Sequence, residues 1–271
     1  MVFWGIGTLF LMCAAGIACG DPALDTPPRT EADAEAGASP PGVDGGNGGM
    51  DGRAPLPDAP VGASDASDAS SLLDRQVPPT AIAITNPSFE LPVTGPNTFV
   101  TNAAPPGWQA FGGAVNFGSR TVGVLNPNTS RLYLDAVPDG RNVGVVFLMD
   151  NLAVSTEAGM QQILGELLAL DTTYTLRVDV GNIHPEQGLP YDFTGFPGYR
   201  VELLAGGVVI ASDNGTLRPG EGRFLLSTLV APIGPTHPRA GQALAIRLVN
   251  IDGPAGIEVN FDNVRLSKQG R

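Results

Sequence analysis

Two cysteines, two histidines and two tryptophans are all that 271 residues hold of these types. Cys13 and Cys19 both fall in the first twenty residues, so the rest of the chain has no disulfide and no thiolate chemistry. His184 and His237 each precede a proline, and no Ser, Cys or second His is spaced to suggest a triad or a zinc set. Basic residues are scarce too: 15 Lys and Arg against 27 Asp and Glu, a net charge of −12. Acidity of this size argues against a nucleic-acid backbone as partner. The glycine-rich stretch "GGVVIASDNG" (206–215) lacks both the Lys-Ser/Thr pair and the following helix of a phosphate loop. With no disulfide available, the fold must be held by its apolar core, with a bound metal as a further support that the sequence leaves open.

What is present divides the chain into three. Residues 2–18, "VFWGIGTLFLMCAAGIA", are apolar and uncharged, a little short for a membrane-spanning helix, and resemble a secretory h-region. Residues 1–18 therefore read as a signal segment, with Cys19 directly behind it as the lipid-accepting cysteine of an exported lipoprotein; plain secretion and an uncleaved anchor are the other readings. Cys13, behind Met12, reads as part of the apolar run. Residues 19–78 are rich in Asp, Ala, Pro, Gly and Ser and carry low-complexity stretches such as "ASDASDASS". Between 20 and 78 there are eleven acids and three bases, so most of the negative charge sits there. Such a segment cannot bury enough apolar surface to offset its chain entropy, and it reads as a disordered acidic tether that spaces and solvates.

From residue 79 to 271 the pattern is that of one all-β domain. Short apolar runs bounded by Gly, Pro, Asn and Asp recur: "IAITN" (82–86), "GWQAF" (107–111), "RLYLDAV" (131–137), "NVGVVFLM" (142–149), "YTLRVDVGN" (174–182), "RFLLSTLVA" (223–231) and "LAIRLVNID" (244–252). "YRVELLAGGVVIASDNG" (199–215) reads as two strands joined at Gly206-Gly207. "GMQQILGELLALD" (159–171) fits a helix and a strand plus turn equally well. Many short strands at regular spacing predict a two-sheet antiparallel β-sandwich of the jelly-roll kind, preceded by the disordered segment. Of the sequons, Asn128-Thr129-Ser130 matters only in a glycosylating system and Asn214-Gly215-Thr216 reads as a turn.

One stretch breaks step. In "IEVNFDNVRL" (257–266), Ile257, Val259 and Phe261 alternate with Glu258, Asn260 and Asp262, as in a half-buried strand. Asn263 then takes an apolar place, and Val264 and Leu266 resume one residue out of phase. A β-bulge at Asp262-Asn263 accounts for the slip.

"TYTLRVDVGN" (173–182), "GFPGYRVELLAG" (195–206) and "NFDNVRL" (260–266), with "PPGW" (105–108) and "DGRNVGVVFL" (139–148), resemble the Stig cyclases, which close hapalindole- and fischerindole-type indole alkaloids. The resemblance spans roughly residues 82–267. It implies a jelly roll stabilised by Ca2+, similar to calcium-binding carbohydrate-binding modules, and often a homodimer. For calcium it points to Asn86 and Glu90 of "NPSFE" and to Asp262, all oxygen donors, brought together if the first strand lies beside the last. The same residues also read as an ordinary turn and an edge acid. In the resembled cyclases the acid that protonates the substrate stands two residues before the Asp of "FDNV". Here that position is Asn260, and an amide cannot serve as a general acid. Glu258 lies on the same strand face about 6.5–7 Å away. It reads as a solvated strand acid, or as a displaced substitute.

Ligand contacts are expected from "LPYDFTGFPGY" (189–199), where Tyr191, Phe193 and Phe196 would form a wall and Asp192 would orient a hydroxyl or amine; the loop also reads as folded down by its own rings. Tyr199 is expected to start a strand, and Trp108 to serve the core rather than a platform. The sequence thus predicts an exported, calcium-binding jelly-roll module for a carbohydrate or a small hydrophobic ligand, held to a membrane only through Cys19. The other expectations are a calcium-dependent cyclase and a structural surface lipoprotein.

Overall fold

A computed structural model describes residues 78–101, 103–112, 120–128, 131–149, 157–186, 188–189, 191–251 and 256–271. The signal segment, Cys19, nearly all of the acidic tether and part of the first sequon lie outside the described residues. Among those described, the chain forms twelve strands: β1 (Thr80–Ile82), β2 (Thr98–Val100), β3 (Gln109–Phe111), β4 (Arg120–Asn126), β5 (Val143–Leu148), β6 (Ala158–Leu167), β7 (Thr172–Asn182), β8 (Tyr199–Ala205), β9 (Val208–Asp213), β10 (Arg223–Ile233), β11 (Ala243–Asn250) and β12 (Glu258–Gly270). They make two antiparallel sheets. The larger runs β10-β7-β12-β5-β4-β2, with β1 also on β12; the smaller runs β3-β6-β11-β8-β9. The expected sandwich is what the chain adopts.

Alternation builds the inner core. Tyr174, Leu176, Val178 and Val180 of β7 and Val146 and Leu148 of β5 face Met160 and Leu164 of β6, Val201 and Leu203 of β8, and Ile246 and Leu248 of β11. The expected hairpin turns at Gly206-Gly207, with φ of +57° and +77°, a region open to glycine without strain. The ambiguous segment 159–171 resolves as strand β6. Its apolar residues 160, 163, 164, 167 and 168 recur at helical spacing, but ladders to β11 and β3 on its two sides override that pattern and leave Ile163 and Leu167 exposed. "RLYLDAV" (131–137) is not a strand but a connection across the outer face of the larger sheet. Trp108 is a core residue: its ring lies 5.3 Å from that of Phe89, and its Nε1 donates to the Asn86 carbonyl at 3.2 Å.

The slip in β12 is a bulge. Asp262 pairs with Asp179 but Arg265 with Arg177, so one extra residue sits in β12, and Asn263 takes a φ of +52°. Asn tolerates that left-handed conformation better than most residues. Val259 and Phe261 before the bulge, and Val264 and Leu266 after it, all reach the inner core. The pairing of β1 with β12, Thr80 opposite Lys268, sets the first strand against the last as expected.

Candidate functional site

The outer face of the larger sheet is also buried. A second apolar cluster of Leu125, Leu132, Tyr133, Val143, Val145, Phe147, Ile183 and Phe193 covers it. This corrects the reading of β12 as half-solvated. Glu258, Asn260 and Asp262 are as buried as the apolar residues between them, and Glu258 is no surface acid. The continuous apolar run of β5 reflects the same double burial.

Across this face Phe224, Gly181, Asn260, Val145 and Gly123 form one row on β10, β7, β12, β5 and β4. Gly181 leaves room for the Phe224 ring, which a Cβ there would strike. The Tyr133 ring stacks on Phe224 at 4.5 Å. The segment carrying it is strapped on both sides: His184 donates its N–H to the Leu132 carbonyl at 2.9 Å, and Leu134 donates to Gly222 at 3.0 Å. From there the Tyr133 hydroxyl donates to Oδ1 of Asn260, and Asn260 Nδ2 donates to Oε1 of Glu258 at 2.9 Å. Burial drives the Tyr133 hydroxyl well above its usual range, with the carboxylates of Glu258 and Asp262 adding to it. Burial likewise pushes the Glu258 carboxyl up to about 7, the Asn260 amide opposing. A cleft of about 270 Å³, lined by Tyr133, Pro127, Val137, Gly140 and Arg141 among others, opens beside Tyr133.

Beyond Glu258 lies an aromatic wall. Phe147 pairs directly with Glu258 across β5 and β12. Its ring meets Tyr191 at 5.1 Å and Phe193 at 6.3 Å, and Phe193 stacks on Phe99 at 6.5 Å. Tyr191 and Phe193 thus stand together as expected, while Phe196 turns away onto Tyr199 and the inner core. Asp192 is exposed and spends Oδ1 on the backbone N–H of Thr194, and its hydrogen bonds to Thr194 hold its carboxyl below the usual carboxylate range. The sequence reading did not place Phe99, Phe147 and Phe224 on this face, nor the hydrogen bond from Tyr133 to Asn260. The signal for Phe147 was the unbroken apolar run of β5.

Glu90 and Asp262 grip one loop from two sides. Glu90 Oε1 accepts the N–H of Arg141 at 2.7 Å and of Asn142 at 2.8 Å, and Asp262 Oδ2 accepts that of Asp139 at 2.9 Å. Asn86 closes its own turn, its amide bonding both the N–H and the carbonyl of Leu91. Burial pushes the Asp262 carboxyl up to about 8, opposed by the N–H groups of Asp139 and Asn263 and reinforced by the charges of Asp139 and Asp179. Among the described residues no three His, Cys, Asp or Glu side chains form a metal-holding group. The carboxylates of Glu90 and Asp262 are oxygen donors of the kind a hard cation takes.

Known proteins resemble the domain as a whole. Curated protein sequences gave no match. Among solved structures, the Stig cyclase Fisc from Fischerella sp. TAU, in complex with (3Z)-3-(1-methyl-2-pyrrolidinylidene)-3H-indole, superposes with a TM-score of 0.65 at 37% identity, over 72% of this chain and 100% of that one. A cyclase from the same source in complex with 4-(1H-indol-3-yl)butan-2-one matches at 38% identity and a TM-score of 0.64, over 71% and 99%. The apo form of a cyclase from Fischerella sp. matches at 37% and 0.64, over 70% and 97%. The model of the HpiC1-like family, described as HpiC1 cyclase, matches residues 80–267, and the chain belongs to that family.

Proposed function

We propose that the domain binds a small, flat, largely apolar ligand of the indole class on the outer face of its larger sheet. The observation that carries this reading is the second core, with its aromatic wall beside the polar line Tyr133–Asn260–Glu258. Rings that stack on sugar chains stand open to solvent. Here Phe147 and Phe193 are buried, and of the wall only Tyr191 is more than a third exposed, at 44%. That enclosure supports a compact ligand over a polysaccharide, as do the indoles held by two of the similar cyclase structures. The acidic segment and a lipid at Cys19 would fit a module displayed outside the cell membrane. Calcium would enter where Glu90 and Asp262 hold the Asp139–Asn142 loop, with backbone carbonyls completing its shell.

Titration calorimetry of the calcium-loaded chain with 4-(1H-indol-3-yl)butan-2-one, beside a panel of oligosaccharides, tests the reading. Saturable binding of the indole that is weakened by Phe147→Ala is the expected result. Binding of an oligosaccharide alone overturns it.

A further inference from the structure

Glu258 is an acid buried without a cation. It is 2% exposed, and no ion pair reaches it among the described residues. Its Oε1 is taken by the neutral Asn260 amide, and Oε2 accepts no hydrogen bond among the described residues. The neighbouring elements bring no positive charge either. β5 sets Phe147 beside Glu258, while β7 and β10 set Gly181 and Phe224 in the row of Asn260. The titratable groups on this face are the Tyr133 hydroxyl on the covering segment and the Asp262 carboxyl further along β12. The 191–193 loop adds Tyr191 and Asp192, and Asp192 is turned to Thr194. Burying a lone carboxylate is costly, and a cation beside it would remove most of that cost.

The aromatic wall supplies the rest of such a site. Phe147 shares a face of the sheet with its cross-strand partner Glu258. Tyr191 meets Phe147 at 5.1 Å and 51°, Phe193 meets Phe147 at 6.3 Å and 63°, and Tyr191 meets Phe193 at 6.3 Å and 89°. None of these three pairs is stacked, which leaves ring faces for a further group. Tyr191, the exposed member, opens the corner to solvent. Ring faces carry negative potential, as does a carboxylate, so all of these groups favour the same partner.

We infer that this corner selects a cationic nitrogen: its ligand is an indole bearing a basic amine, whose N–H donates to Oε2 of Glu258 while Phe147, Tyr191 and Phe193 flank the charge. The inference rests on the small-ligand reading above and names the ligand's charge. No covalent bond of the ligand changes. Without ligand, a proton neutralises the carboxyl up to about pH 7. The ammonium takes the place of that proton, which passes to solvent. Asn260 keeps Oε1 occupied and so leaves Oε2 to the amine.

The test uses the full chain with calcium and two probes that share the indole ring: tryptamine, charged, and 4-(1H-indol-3-yl)butan-2-one, neutral. Calorimetry on wild type is expected to give tighter binding of tryptamine. Its affinity should rise about tenfold per pH unit up to about 7 and level off above, with about one proton released per amine bound at pH 6. The ketone should show no such rise. Glu258→Gln is expected to cut the preference for tryptamine over the ketone by about 10–100-fold. A merely structural Glu258 would move both affinities alike and leave their ratio and the proton count unchanged. A ratio that survives Glu258→Gln, or tryptamine binding that is flat from pH 5 to 7, overturns the inference. Wild type that binds the ketone without preferring tryptamine also overturns it and leaves the small-ligand reading intact. Binding of neither indole overturns both.

Discussion

Replacing Glu258 by glutamine should change how stability depends on pH, by an amount the structure sets. The substitution keeps shape and removes the titration. Burial raises the carboxyl from its ordinary 4.5 to about 7 in the folded chain. Between those values the folded protein holds a proton that the unfolded chain has released. The contribution to stability is therefore fully present below pH 4.5, declines as pH rises, and is wholly lost above 7. The loss is about 3 kcal/mol, at about 1.4 kcal/mol per decade of proton affinity. The Glu258→Gln variant has no such decline. Asp262 also titrates in this direction, but it is common to both proteins and cancels in their difference. Urea or thermal unfolding of both proteins from about pH 4.5 to 8 is the assay. The stability of the variant minus that of wild type should climb by about 3 kcal/mol across the range, or roughly 6–12 °C in Tm for a domain of this size. Two curves that run parallel would refute the claim that Glu258 is held neutral by burial.

Three further outcomes follow from other parts of the molecule. Gly181→Ala puts a methyl into the Phe224 ring; displacing that ring from Tyr133 should destabilise by about 1–3 kcal/mol and weaken indole binding, both measurable on one preparation. Asp213 accepts hydrogen bonds from the hydroxyls of Tyr199 and Ser227 at 2.5 Å and of Thr216 at 2.8 Å, tying β8, β9 and β10. Asp213→Ala strands these donors and should lower stability by at least about 2 kcal/mol in urea melts. Calcium should raise the Tm of wild type and EDTA reverse it, whereas Glu90→Ala with Asp262→Ala should make the melt indifferent to both.

The strands with clear alternation were legible in the sequence. The β8–β9 hairpin followed from Gly206-Gly207, and the bulge at Asp262-Asn263 from a one-residue phase slip. Strands β2 and β4 were not, because a three-residue strand and a run with Gly123 at its centre carry little periodic signal. β6 was ambiguous because its pattern suits a helix, and only its two ladders decide. Of the rings expected to form a wall, Tyr191 and Phe193 pack on Phe147, whereas Phe196 packs on Tyr199 and the inner core. Glu258 was misjudged for a physical reason: polar residues at every second strand position ordinarily mark a solvent face. Here a third layer of loops covers that face, and such a cover leaves no mark within the strand itself.

The sheet shields two apolar interiors from each other. Tyr174, Leu176 and Val178 fill one side of the larger sheet while Val143, Val145 and Phe147 fill the other, so a substitution at Phe99, Tyr191 or Phe193 repacks the outer cluster and leaves the side chains between the two sheets where they are.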